Sequence, residues 1–261
     1  MTPLEIDTLA KTLFTSLREH QVIAPITSQY QDFSITDAYQ VSQQLLQHRL
    51  DEGERVIGKK IGLTSKVVQD MLGVHQPDFG FLTNTMMYTS GVDIPLQKTL
   101  IQPKSEGEIA FVLKHDLVGP NVTPEDVLAA TDKVYACFEI VDSRIADWKI
   151  KIEDTIADNA SCGIFVMAEE GVSPANVDFE QCKMVIKNKG ETVAEGQGSA
   201  ALGSPLNCVA WLANTLGEFG ISLNAGDIIL SGSLAAMIPC QAGDEMSMEI
   251  EGIGSASYRM V

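Results

Sequence analysis

The sequence predicts an α+β, mainly β protein with a helical N-terminal part. Three observations carry this. Apolar residues in the first fifty positions recur at helical spacing. From Arg55 onward, glycines and β-branched residues recur in short runs separated by turn chemistry. Two later segments open with helix-start signals, and no internal repeat or low-complexity tract interrupts the pattern.

In the first part, Ile6, Leu9, Leu13 and Leu17 share one helix face. A second stripe, Ala38, Val41 and Leu45, follows "SITD", where Ser34 and Asp37 form a capping pattern, and it ends near Gly53. The boundary is therefore expected after residue 54, with residues 55–261 forming the mainly β domain. Strand signals there are "RVIGKKIGLTS", "MMYTSGVDIPL", "LIQPKSEGEIAFVL", "YACFEIVDSR", "CKMVIKNKGETVAEG", "GDIILSGSL" and "EMSMEIEGIGSASYRMV", with "KNKGE" as a hairpin turn. "VTPEDVLAA" offers Thr123 as cap, Pro124 at the first helical position and acids in the first turn. "GSPLNCVAWLANTLGEFG" offers Ser204, Pro205, a stripe of Val209, Leu212, Leu216 and Phe219, and Gly220 as the stop.

The chain of 261 residues carries a net charge of −17, which argues against non-specific binding to nucleic acid or to an anionic membrane surface. Its first twenty residues have no apolar signal-peptide core, and no apolar run approaches the length of a membrane span. The five cysteines (137, 162, 182, 208, 240) are scattered among apolar or small neighbours, as expected of buried free thiols in a reducing cytoplasm. A nucleophilic Cys162 is the lesser alternative.

Glu106 and Glu108 lie two apart on a strand and so face the same side, just before the apolar run Ile109–Leu113. Glu139 interrupts a second apolar run. One such acid alone reads as an edge-strand residue or the partner of a nearby arginine such as Arg144. Three acids in two strand contexts, each costly to desolvate, point to a shared cation. All-carboxylate ligation suits Mg²⁺ or Mn²⁺ better than Zn²⁺, and His20, His48, His75 and His115 offer no paired spacing. Of Lys59 and Lys60, only one can point inward on a strand. The loop around His75 and Asp78 reads equally as a functional loop or as turn chemistry, and "DTIADNASCG" as a surface turn. "GDIILSGSL" presents backbone N–H groups and Ser233 to an anion.

In order, "GKKIGLTS", "GVHQPDFGFLT", "QPKSEGEIAFVL", "CFEIVDSRI", "DTIADNASCG" and "AGDIILSGSL" with "AGDEMSMEIEGIGS" resemble the 2-hydroxypenta-2,4-dienoate (2-oxopent-4-enoate) hydratases of aromatic meta-cleavage catabolism, within the fumarylacetoacetate hydrolase superfamily. The resemblance spans essentially the whole chain. It implies a mixed, bent β-sheet roll and a hydro-lyase using Mg²⁺ or Mn²⁺ held by Glu106, Glu108 and Glu139. It implies Lys60 and Asp78 as acid–base groups, and Ser161 and Ser233 near a small 2-hydroxy-dienoate substrate. A cytoplasmic homo-oligomer is implied, with association with 4-oxalocrotonate decarboxylase as a further expectation. The alternatives are 4-oxalocrotonate decarboxylation in the same fold, a non-catalytic partner of the decarboxylase, and C–C hydrolysis, for which His75 is the one histidine of interest.

Overall fold

The structure is a computed structural model that describes the chain except residues 66–68, 71–73 and 75; His75 lies outside the described residues. The N-terminal part contains α1 (Pro3–Glu19), α2 (Ile26–Gln29) and α3 (Ile35–Asp51). Thr2 with Glu5 and Ser34 with Asp37 close reciprocal capping boxes on α1 and α3. Ile6, Leu9 and Leu13, with Val41 and Leu45 across from them, are buried in the same apolar core as Ile61 and Phe79 of the β part.

Thirteen strands follow among the described residues: β1 (Val56–Gly62), β2 (Asp78–Thr83), β3 (Met87–Thr89), β4 (Val92–Ile94), β5 (Lys104–Leu113), β6 (Thr131–Val141), β7 (Cys162–Met167), β8 (Lys183–Asn188), β9 (Glu191–Gln197), β10 (Ile228–Leu230), β11 (Ile238–Pro239), β12 (Glu245–Ile250) and β13 (Gly254–Met260). They form an eight-stranded sheet in the order β2-β1-β10-β5-β6-β7-β3, with β11 on β5, and a five-stranded sheet in the order β4-β13-β12-β8-β9. The predicted hairpin is the β8–β9 connection.

The larger sheet has to curl. Laid flat, seven strands at about 4.8 Å spacing would put β2 and β3 about 29 Å apart. These edge strands are consecutive in sequence, and the stretch from Thr83 to Met87 reaches at most about 14 Å. The Phe165 N–H donating to the Met86 carbonyl (2.9 Å) ties the connection back to β7.

Strand alternation then separates two faces. Residues 105, 107, 109 and 111 of β5 and 136, 138 and 140 of β6 face the helices and the second sheet, and the apolar members Ile109, Phe111, Ala136, Phe138 and Ile140 join the main core. The opposite face carries Glu106, Glu108 and Glu139 together with a smaller buried cluster that includes Leu82, Ala110, Cys137, Phe165 and Leu230.

Two expected helices form. One is Pro124–Ala130 with the Thr123/Asp126 capping box, and the other Pro205–Glu218. Ser204 stands at the cap position of the second without a side-chain bond, Phe219 is its C-cap ahead of Gly220, and Phe219 is 44% exposed while Val209, Leu212 and Leu216 are buried. Phe219 instead packs by its ring against Tyr39 and Phe79. Among the described residues, no helix is long and apolar enough to cross a membrane.

Candidate active site

β5 and β6 pair antiparallel with Glu106 directly opposite Glu139 and Glu108 opposite Cys137. Like charges at directly opposed positions destabilise a sheet, and these are withdrawn from water: Glu108 and Glu139 are fully buried. One carboxylate oxygen from each of Glu106, Glu108 and Glu139 lies within 4.8 Å of the others. Glu108 Oε1 and both Glu139 oxygens are buried without a hydrogen-bond partner among the described residues. Burial, reinforced by the Glu139 charge, pushes Glu106 up to about 7 and Glu108 well above the ordinary carboxylate range. An oxygen-only donor set with unsatisfied buried lone pairs and surplus negative charge fits a hard divalent cation.

Lys60 approaches this cluster from β1. Its Nζ lies 3.2 Å from Glu139 Oε1 and donates to the Ala160 carbonyl at 3.0 Å. Burial alone would lower its pKa, but Glu139 and Asp78 outweigh burial and hold the ammonium protonated. Asp78 opens β2, where Gly62 of β1 is its register partner. Burial drives its carboxyl up to about 6 against the pull of Lys60. Lys59, the other lysine of the pair, is not exposed either. It is buried on the other face and bonds Asp227 at 2.5 Å, because that face of β1 is covered by protein rather than water.

The turn after β10 meets the cluster through its backbone. The Gly232 N–H donates to Glu108 Oε2 at 2.9 Å, so the anion it cradles is the protein's own. Ser233 Oγ donates to the Ala235 carbonyl at 2.7 Å. Ser231, inside the "GDIILSGSL" motif but not singled out there, is buried, and its Oγ has no hydrogen-bond partner among the described residues.

"DTIADNASCG" is no surface turn. It begins inside the helix Ile152–Ala157 and runs into a buried turn in which Asp158, Asn159 and Ser161 are at most 6% exposed. Polar composition suggested solvent, but the polar groups are satisfied internally. Ser161 Oγ shares a hydrogen bond with Thr155 Oγ1 at 3.0 Å, and Asp158 is bound by Arg144. The five cysteines are free, and burial raises the Cys137 and Cys162 thiols, which favours the thiol form over the thiolate.

The chain is 55% identical over 255 residues to the 2-hydroxyhexa-2,4-dienoate hydratase of Comamonas testosteroni, covering 97% of each chain. It is 58% identical over 217 residues to a 2-hydroxypent-2,4-dienoate hydratase of Pseudomonas putida, covering 83% of this chain and 98% of that one. Among solved structures, the 4-oxalocrotonate decarboxylase of Pseudomonas putida G7, complexed with magnesium and adipate, superposes with a TM-score of 0.97 at 34% identity, covering 100% of this chain and 99% of that one. Residues 57–261, which hold the curled sheet and all three clustered acids, match the fumarylacetoacetate (FAA) hydrolase C-terminal model, and the chain belongs to that family.

Proposed function

We propose that this protein is a metal-dependent hydro-lyase that adds water to 2-hydroxypenta-2,4-dienoate, giving 4-hydroxy-2-oxopentanoate in aromatic meta-cleavage catabolism. The observation that carries this is the 55–58% identity to two dienoate hydratases over most of the chain. The neighbouring decarboxylase, at 34% identity, makes decarboxylation of 4-oxalocrotonate the second reading.

Glu106, Glu108 and Glu139 would hold Mg²⁺ or Mn²⁺. When bound, the cation supplies a Lewis acid for the 2-oxygen and carboxylate of the substrate, where charge develops during reaction. The chain's own groups handle protons. Conversion of the dienol to 2-oxopent-3-enoate takes a proton from the 2-hydroxyl and delivers one to C5. Water then gives its oxygen to C4 and a proton to C3. These transfers need a buried acid–base pair, for which Lys60 and Asp78 are our assignment. Lys60 holds its proton beside Glu139, and Asp78, raised to about 6, exchanges one near neutral pH. Ser161 and Ser233 are assigned to substrate binding, Ser233 from the turn that bonds Glu108. A cytoplasmic homo-oligomer that associates with 4-oxalocrotonate decarboxylase is part of this reading.

The test is ultraviolet loss of freshly generated 2-hydroxypenta-2,4-dienoate with Mg²⁺, with Mn²⁺ and with a chelator, the product identified by mass. Metal-dependent loss to a product one water heavier is expected. Absence of turnover, with 4-oxalocrotonate losing CO₂ instead, would replace hydration by decarboxylation.

A further inference from the structure

The turn from Asp158 to Ser161 is an unusual piece of backbone. Asn159, Ala160 and Ser161 lie consecutively in the left-handed region, with φ of 56°, 51° and 52°. Residues with a Cβ are disfavoured there, so three in a row must be held by their surroundings.

Two clamps hold them. Arg144, itself buried, spans the turn. Its backbone N–H and Nε donate to the Asp158 carboxylate at 2.8 and 2.5 Å, and its guanidinium donates to the Asp158 carbonyl at 2.5 Å and the Cys162 carbonyl at 3.0 Å. Asn159 clamps the turn to β2. Its amide nitrogen donates to the Phe81 carbonyl at 3.0 Å and its amide oxygen accepts from the Phe81 N–H at 2.8 Å, as a paired strand would. The approach is close enough that a Cβ at Gly80 would lie 2.6 Å from the Asn159 carbonyl oxygen.

The clamped turn aims the Ala160 carbonyl into the site, where it accepts from Lys60 Nζ. The lysine is thereby held between that carbonyl and Glu139. We propose that Asn159 and Arg144 are positioning residues for Lys60, fixing its ammonium through the Ala160 carbonyl. This rests on the reading of Lys60 as an acid–base group in hydration.

The test is a double-mutant cycle of Asn159→Ala and Lys60→Met in the full-length, Mg²⁺-loaded protein turning over 2-hydroxypenta-2,4-dienoate. An ammonium displaced by the order of 1 Å costs up to about 100-fold in rate. Asn159→Ala is therefore expected to lower kcat about 10- to 100-fold, with KM and Mn²⁺ affinity within about 3-fold of wild type. In the Lys60→Met background the same change should lower the residual kcat no further, since residues acting through one group are not additive. Asn159→Gly is the second variant. It accepts the left-handed backbone without strain and removes only the bridge to Phe81, so it folds where alanine fails and should show the same cycle. An equal loss in both backgrounds, or wild-type kcat in either Asn159 variant, would overturn the positioning role alone. Wild-type turnover by Lys60→Met would instead remove Lys60 from the chemistry and the inference with it.

Discussion

Gly107 stands between the two clustered acids of β5, and replacing it by alanine tests how the site is built. Its own side faces the five-stranded sheet. A Cβ there would lie 2.7 Å from Met248 Sδ and 2.9 Å from Met184 Cε, and closer still to Met184 Sδ. Carbon and sulfur pack at about 3.5–4.0 Å, so both methionines, or the strand, must retreat by about 1 Å. Met184 and Met248 are at most 2% exposed and have no solvent to move into. Overpacking of this kind costs about 1–3 kcal/mol, against a gain of about 0.5–1 kcal/mol from replacing glycine inside a strand. The net expectation is about 1–2 kcal/mol of lost stability, or a Tm lower by about 2–4 °C for a chain of this size. If β5 moves instead of the methionines, Glu106 and Glu108 move with it, and Mn²⁺ affinity falls. Shortening Met184 to alanine opens the missing space, so Gly107→Ala in that background should cost less than in the wild type. Thermal melts of the metal-free protein and Mn²⁺ titrations measure both effects. Wild-type stability and Mn²⁺ affinity in Gly107→Ala would refute the claim that the sheet-to-sheet contact sets the position of the acids.

Glu108→Gln should weaken Mn²⁺ binding by at least about 10- to 100-fold, the cost of losing even an outer partner of a metal site; unchanged Mn²⁺ affinity by electron paramagnetic resonance would refute its role. Glu54 is pushed up by burial, but Arg18, Thr83, Arg49 and Thr85 outweigh this and hold it at about 2. Its contribution is therefore complete above about pH 4.5 and lost as pH falls toward 2. With Arg18 36% exposed and solvent screening its charge, the contribution is about 1–2 kcal/mol, and Glu54→Gln should flatten denaturant-measured stability across that window; an unchanged slope would contradict it. Asp227→Ala strands the buried Lys59 and should cost about 3–5 kcal/mol by urea unfolding, with much of the loss recovered on adding Lys59→Met; full stability of Asp227→Ala alone would refute the pairing.

What could be read in the sequence follows from which interactions are local. Capping boxes at Ser34 and Thr123 close within three residues and were visible as spelling. The shared face of Glu106 and Glu108 follows from strand alternation alone. The register that sets Glu106 against Glu139 is a contact across thirty-three positions, and the acids hinted at it only by being misplaced in apolar runs. "DTIADNASCG" shows where composition misleads. Its polar residues meet Arg144, Phe81 and Thr155, so the same letters describe a solvated turn or a buried clamp. Lys59 was ambiguous for a related reason, since its partner Asp227 lies 168 residues away.

The site's charge explains why these features belong together. Glu106, Glu108 and Glu139, ionised, carry three negative charges, of which Lys60 offsets one. The pair left over is what a divalent cation would neutralise, so the cluster with lysine and a bound cation would be electrically balanced and could remain buried. Asp78 then stands outside the balance. Burial raises its carboxyl to about 6 against the pull of Lys60, which is the reason for assigning it the proton-exchanging role. Lys60 does the opposite. Fixed between Glu139 and the Ala160 carbonyl, it is held as the ammonium, so in the proposed pair Lys60 starts as the acid and Asp78 as the group that exchanges. Asp78→Asn should therefore lower kcat while sparing Mn²⁺ affinity, and equal loss of both would mean that Asp78 supports the acids rather than the proton.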